Sequence, residues 1–225
     1  MSRLRLPLLL AALALAVQSL FIAAAAAGAA IAGEAMDDWE QDEDILARWH
    51  EPMRYLNLAT QLDPFRGAYF EALGRLEALL ADRAPELGAG RRAAARRAYE
   101  EALKRTPGDG ILWARHAALA LESGRLDEAS AALGRVVEFG AFEPPAQRIV
   151  LAAAFARWHR LDRSGRQHAL TLAGNGLLQA ARGSADAAGE AVERFAMIDM
   201  VCRDLAARGS LVPTCRGRIT GDRGG

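Results

Sequence analysis

Apolar residues recur at three- and four-residue steps along most of the chain, after an N-terminal run at residues 6–33 that carries no charge. Because an α-helix has about 3.6 residues per turn, this spacing places the apolar side chains on one helix face. It predicts helices at residues 37–60, 65–80, 149–161, 166–181 and 185–208, besides those within residues 96–137. We expect Pro52 to bend or split the first helix, and Asp63 and Pro64 to end it.

Residues 96–137 follow the spacing of the tetratricopeptide repeat, a pair of antiparallel helices with a period of about 34 residues. Small residues let the two helices approach closely, and large ones fill the space between turns. Gly124 is predicted to end the first helix in a left-handed cap, and Asp109 to cap its start. The matching positions are Ala102, Leu103, Pro107, Trp113, Gly124, Leu126, Ala129 and Leu133.

A less regular hairpin precedes this repeat. Pro64 and Pro107 fall at equivalent positions 43 residues apart, which is roughly nine residues more than one period. The additional residues fall in 82–90, which contains one proline and two glycines. We expect an enlarged turn there, either an idle insertion or a loop that makes contacts.

The pattern changes after Val137, where residues 138–147 read EFGAFEPPAQ. Gly140 is predicted to end one helix, and Pro144 and Pro145 to begin the next, since proline is tolerated in a first turn. Farther on, the Gly-Asn-Gly sequence at residues 174–176 is expected to weaken the middle of its helix.

The composition adds to the helical pattern. Of the 225 residues, 52% are hydrophobic, with alanine dominant, and only 6% are aromatic. This mixture favours packed helices over sheets. The predicted fold class is all-α: an N-terminal transmembrane helix followed by a short, irregular tetratricopeptide-like helical-hairpin solenoid. The formal net charge is zero, so no nucleic-acid partner is expected.

The N-terminal run indicates export. It is long enough to span a bilayer, and Arg3 and Arg5 precede it while an acidic stretch follows. Residues 6–22 are leucine-rich and residues 23–32 almost pure alanine, with a small-residue cleavage site ending at Ala32. Both an uncleaved anchor and a signal peptide remain open. The predicted organisation is an anchor or signal segment at 1–33, a periplasmic helical-repeat domain at 34–210 and a flexible tail at 211–225. The expected location is the bacterial inner membrane, with a single pass and the soluble domain in the periplasm.

The two cysteines agree with export. Cys202 and Cys215 would close a small loop, and in an oxidising periplasm we expect them to form a disulfide worth roughly 3 kcal/mol. Two unpaired thiols are the alternative. His50, His116, His159 and His168 show no ligand spacing with the cysteines, so no metal or cofactor is predicted.

A family resemblance covers most of the chain after the anchor. The features that carry it are the N-terminal anchor, the degenerate repeat, the string from Gly140 to Gln147, the Trp158 helix and the late cysteine pair. Together they resemble the VpsP-type exopolysaccharide biosynthesis proteins, in which a tryptophan often stands where Phe142 stands here. The resemblance implies a bacterial exopolysaccharide gene cluster, often one with an exosortase, and it implies no catalytic residues.

The sequence is compatible with three functions. The first is a non-catalytic periplasmic scaffold that binds protein partners of a polysaccharide polymerisation or export complex, since stacked helix pairs present extended binding surfaces. The second is a repeat adaptor of another envelope assembly, such as cytochrome maturation or cell-wall synthesis. The third is a glycan-processing enzyme, which would need two carboxylates across a cleft. Examples of candidate carboxylate pairs are Glu122 with Asp127 and Glu138 with Glu143, and these are better explained as exposed helix ends.

Overall fold

Helices account for nearly all of the structure, a computed structural model that describes residues 5–39, 48–183, 188–210 and 212–219. No β-strand occurs within those ranges, which confirms the all-α class predicted from composition and periodicity. The chain divides into two compact units, Met1–Thr106 and Pro107–Gly225.

In its described residues, 5–39 and 48–106, the first unit contains four α-helices. They pack in sequence, α1 on α2, α2 on α3 and α3 on α4. A single 3₁₀ turn at Pro85–Leu87 connects the last two. Their bounds are α1 Arg5–Trp39, α2 His50–Leu62, α3 Gly67–Arg83 and α4 Gly88–Arg105.

The predicted helix at 37–60 is two helices in the structure. Its first residues extend α1 to Trp39, its last belong to α2, and residues 40–47 lie outside the described residues. Pro52 sits in the first turn of α2, where the absence of an amide hydrogen breaks no helical hydrogen bond. As predicted, α2 ends at Leu62, directly before Asp63 and Pro64.

The enlarged turn predicted at 82–90 is not present. α3 and α4 have 17 and 18 residues, whereas the corresponding helices of the next hairpin have 13 and 14. The additional residues therefore lengthen each helix by about one turn. The prediction of a turn rested on Gly88 and Gly90, but both are helical in the structure. α4 begins at Gly88 and contains Gly90.

The second unit begins with the regular hairpin, and five further helices follow among the residues that the structure describes. α5 packs against both α6 and α7, α6 packs against α8, and α8 packs against α10. A 3₁₀ turn at Trp158–Arg160 separates α7 from α8. The bounds are α5 Gly110–Glu122, α6 Leu126–Phe139, α7 Pro144–Ala156, α8 Arg163–Ala180, α9 Gly189–Arg194, α10 Ile198–Ala207 and α11 Pro213–Ile219.

The turn between α5 and α6 has the predicted caps. Gly124 adopts a φ of 73°, and the Arg125 amide donates to the Ala120 carbonyl oxygen, as in a Schellman motif. At the other end of α5, Asp109 Oδ1 accepts a hydrogen bond of 2.9 Å from the Leu112 amide.

In the C-terminal part, the structure differs from two of the predictions. The predicted helix at 185–208 is broken into α9 and α10 by Ala196, which has a φ of 52°; residues 184–187 lie outside the described residues. The predicted tail at 211–225 contains α11, because Val212 and Cys215 are buried and hold it in place. Residues 220–225 are not described.

The glycines at 174 and 176 do not interrupt α8. A methyl group at Gly174 would lie 3.0 Å from Leu205 Cδ2, and one at Gly176 only 2.4 Å from Ala188 Cβ. These glycines let neighbouring segments approach α8 closely, which outweighs their low helix propensity.

Candidate interaction surface

The connection between α6 and α7 is held by close backbone packing. A methyl group at Gly110 would lie 2.4 Å from Gly140 Cα, so α5 and the end of α6 meet backbone to backbone. Gly140 caps α6, and Pro144 and Pro145 open α7, as predicted. The connection therefore has little freedom to move relative to α5.

A buried amide side chain fixes the same connection to α8. Gln147 is fully buried, and its Nε2 donates to the Ala141 carbonyl oxygen at 2.8 Å and to Gln179 Oε1 at 3.0 Å. Gln179 Nε2 in turn donates to the Phe142 carbonyl oxygen at 2.7 Å. Two backbone carbonyl groups of the connection are thus satisfied by side chains of α7 and α8.

These contacts hold the Phe142 backbone and leave its side chain outside. Phe142 is 62% exposed and Phe139, three residues earlier, is 37% exposed. The Arg135 guanidinium lies 6.0 Å from the centre of the Phe139 ring and pairs with Glu138 at 2.7 Å. We call Arg135, Glu138, Phe139 and Phe142 the aromatic surface. Exposed aromatic and arginine side chains are the groups that most often dominate protein–protein binding energies.

The two carboxylate pairs considered as glycosidase candidates lie at helix ends. Glu122 and Asp127 are exposed at the end of α5 and the start of α6. Glu138 is exposed near the end of α6, and Glu143 occupies the cap position before α7. Glu122, Asp127 and Glu138 agree with the interpretation as exposed helix ends, whereas Glu143 lies at a helix end but is half-buried.

A serine, a histidine and an aspartate come together between α6 and α8, which the sequence did not indicate. Ser130 Oγ donates to Asp162 Oδ1 at 2.7 Å, and the same oxygen accepts from the Gly165 amide at 2.7 Å. His168 Nδ1 lies 3.3 Å from the carbonyl oxygen of Ser130, not from its hydroxyl. A nucleophilic serine must donate to the histidine, so this group has the geometry of a helix cap.

The contacts of this cap stabilise the ionised aspartate. The Gly165 amide first, and then the Ser130 hydroxyl, lower the pKa of Asp162 below its ordinary value. The sequence does contain a signal for this helix cap. Asp162 is a preferred capping residue and lies three residues before Gly165, at the start of a helical pattern.

A buried histidine joins α5 to α6. His116 is 6% exposed, and its Nε2 lies 3.2 Å from Glu128 Oε1. Arg125 Nε lies 3.1 Å from the other oxygen of Glu128. The sequence pattern does not indicate a role for His116, because its partner lies twelve residues away on the next helix. The contacts place it in the structural core of the hairpin.

The cysteine pair lies at the far end of the second unit. Cys202 in α10 and Cys215 in α11 have their sulfur atoms 1.98 Å apart and their Cα atoms 5.3 Å apart, at disulfide distance. A cavity of about 300 Å³ lies beside α11, between the ends of α8, α9 and α10, and Glu193 is one of the residues that line it. Within the described parts of the chain, no group of three or more histidine, cysteine and acidic residues has the arrangement of a metal site.

One known family matches part of the chain. A profile of the tetratricopeptide repeat matches residues 86–154, which include α4, the regular hairpin and most of α7. No curated protein and no solved structure shows a significant match. Repeats of this kind stack their helices into extended surfaces that bind other proteins. The match indicates no enzyme family.

Proposed function

We propose that this protein is a non-catalytic periplasmic scaffold or adaptor in bacterial exopolysaccharide biosynthesis or export, held at the inner membrane by α1. The tetratricopeptide match supports a protein-interaction role. The exopolysaccharide setting rests on the resemblance of residues 140–147 to the VpsP-type proteins. Its partners are proteins of a polysaccharide polymerisation or export complex.

The observation that carries this proposal is the aromatic surface. The hydrogen bonds from Gln147 and Gln179 leave Phe142 62% exposed on a backbone with fixed geometry. A rigid aromatic group loses little conformational freedom on binding, which favours affinity. We therefore assign Phe142 as the main contact with the partner.

Two features support the proposed location. α1 contains a stretch, Leu10–Glu34, of 25 residues with a mean hydropathy of 2.1, long and apolar enough to cross a membrane. The cysteine pair at disulfide distance suits an oxidising compartment.

Site-specific photo-crosslinking of the full chain in the native cell tests the partner. A photo-reactive residue at Phe142 should capture a protein of the polysaccharide polymerisation or export apparatus. The same residue at Leu87, which is 54% exposed on the first unit, is the control and should not capture it. Capture of only cytochrome-maturation or cell-wall proteins would replace the exopolysaccharide role with an adaptor role in that other assembly.

A loss-of-function variant gives an independent measurement. Phe142→Ala should weaken the captured complex by roughly 30-fold, the effect of a hot-spot residue of about 2 kcal/mol, and reduce exopolysaccharide output at unchanged protein level. Cleavage of the cognate polysaccharide by the purified full chain, abolished by one carboxylate substitution, would show an enzyme instead of a scaffold.

A further inference from the structure

We propose that the connection between α2 and α3, residues 63–66, is a second membrane contact that places the Phe65 side chain in the interfacial region of the bilayer crossed by α1. This inference rests on the proposed role of α1 as a retained anchor. It adds a site on the folded unit that touches lipid and fixes how that unit stands on the membrane.

The first step is the division of α1 into two parts. All side chains from Leu10 to Ala24 are exposed. From Ala25 onward, one face of α1 packs against the rest of the first unit. Ala25, Ala32 and Met36 are buried on this face. The spacing of these positions keeps them on one face of the helix. Residues 6–25 are about 20 residues, or roughly 30 Å of helix, which matches the hydrocarbon thickness of a bilayer.

The second step is the direction of α2. Ala25 clusters with Ala59 and Leu62, near the end of α2. Ala32 and Met36 cluster with Trp49, Met53 and Leu56, nearer its start. The two helices are therefore antiparallel. The end of α2 lies at the level of Ala25. On the N-terminal side of Ala25, α1 no longer packs on the other helices, and we place this part in the bilayer.

The third step is what the chain presents at that level. Residues 63–66 follow α2 directly, and Phe65 is 84% exposed, the largest exposed fraction among the large apolar side chains in the described ranges. Pro64 and Arg66 beside it are also exposed. An apolar ring exposed to water at the edge of an apolar span gains by entering the membrane, as Phe, Trp and Leu side chains do on helices that lie in the interface.

The connection is held in place from α4. Arg105 Nε donates to the Pro64 carbonyl oxygen at 2.5 Å, and the same guanidinium stacks 4.0 Å from the centre of the Phe70 ring. A methyl group at Gly67 would lie 3.2 Å from Thr106, so α3 begins against the end of α4. The backbone that carries Phe65 is thus braced on both sides.

The cationic side chains at this end suit lipid headgroups. Arg66, Lys104 and Arg105 lie at the same end of the unit as Phe65, together with the carboxylates of Asp63 and Glu101. Lys104 and Arg105 both pair with Glu101, whereas the Arg66 guanidinium lies 5.4 Å from the centre of the Tyr69 ring. A basic residue beside an inserted aromatic ring is the usual arrangement at a membrane surface, since phospholipid phosphates are anionic.

Depth-dependent fluorescence quenching tests the contact. The full chain with Phe65→Trp is reconstituted into vesicles of phosphatidylethanolamine and phosphatidylglycerol. Bromine is carried either near the carbonyl end or near the methyl end of the acyl chains. After subtraction of the four native tryptophans, the added fluorescence should be lost mainly with bromine near the carbonyl end.

Two matched variants separate the possible results. Leu87→Trp lies in the connection at the other end of the α3–α4 hairpin, and its fluorescence should not be quenched. Phe21→Trp lies in the exposed part of α1 and should be quenched. Quenching at position 21 without quenching at 65 overturns this inference and leaves the anchor intact. Equal quenching at 65 and 87 also overturns it. Absence of quenching at 21 removes the anchor and this inference with it.

Discussion

At the scale of single residues, close approach and side-chain hydrogen bonds to the backbone give the connection between α6 and α7 its geometry. Gly110 and Gly140 permit a contact that no other residue allows, and Gln147 has a partner on α8 as well as on the connection. An unpaired buried amide would cost about 1–3 kcal/mol. The hydrogen bonds from Gln147 Nε2 to the Ala141 carbonyl oxygen and to Gln179 avoid that cost for the buried amino group.

Gly110→Ala should destabilise the protein by about 1–3 kcal/mol, because its methyl group would meet the Gly140 backbone and the helices must move apart. Chemical denaturation followed by circular dichroism measures the change. Gly108→Ala is the control, since no atom lies within 4 Å of its added methyl group, and it should change the free energy of unfolding by less than about 0.5 kcal/mol. Equal effects of the two substitutions would contradict the close contact.

Asp162 should contribute a pH-dependent part of the stability. Its pKa is lower in the folded state than the unfolded value of about 4, so its contribution is fully present above that value and is lost as the pH falls through the folded pKa. Asp162→Ala should cost about 1 kcal/mol near neutral pH, as for other helix caps. The difference from the parent protein should shrink in acid unfolding series, whereas a difference that stays constant with pH would exclude the ionised cap.

At the scale of elements, helix length and helix breaks differ most from the sequence-based expectation. α3 and α4 absorb the residues that were assigned to a loop, and a residue with positive φ separates α9 from α10. Both results come from packing. A longer helix pair buries more side chains on the same faces, and the sharp turn at Ala196 lets Val192 and Met197 both be buried.

The cysteine pair is predicted to join α10 to α11 as a disulfide in the exported protein. Intact mass after alkylation should be higher with reductant than without, by two alkyl groups. The double variant Cys202→Ala/Cys215→Ala should lower the free energy of unfolding by roughly 3 kcal/mol, as expected for a loop of this size. Equal masses with and without reductant would exclude the bond.

At the scale of the whole molecule, α1 has two kinds of surface in one helix. Residues 10–22 of the leucine-rich part are exposed, and the alanine-rich part supplies Ala25 and Ala32 to the packing on α2, followed by Met36 just beyond it. Alanine allows close helix packing, which leucine at the same positions would prevent. The structure therefore gives the alanine-rich part a role in the folded unit, beyond that of a cleavage region.

The chain recovered from the membrane fraction is predicted to retain α1. Cleavage after Ala32 would remove Ala25, Ala29 and Ala32 from the packing and expose Leu56 and Ala59 of α2. Intact mass spectrometry of the mature protein measures the N-terminus directly. A species that begins at Gly33 would show a signal peptide and exclude the anchor.

The sequence by itself determined the features that depend on local rules. The all-α class follows from composition and periodicity, and the caps at Asp109 and Gly124 follow from short-range backbone chemistry. The apolar length of α1 can also be counted along the chain. All three could be predicted because each involves residues within a few turns of one another.

Only the tertiary structure decided which distant residues meet. The contacts of Gln147 with Gln179, of Ser130 with Asp162 and of His116 with Glu128 join side chains on different helices. The exposure of Phe142 and Phe65 likewise depends on what packs around them. Hydrophobic periodicity states which face of a helix is buried but not which helix covers it. Therefore the candidate surface and the membrane-facing connection could not be located from the sequence alone.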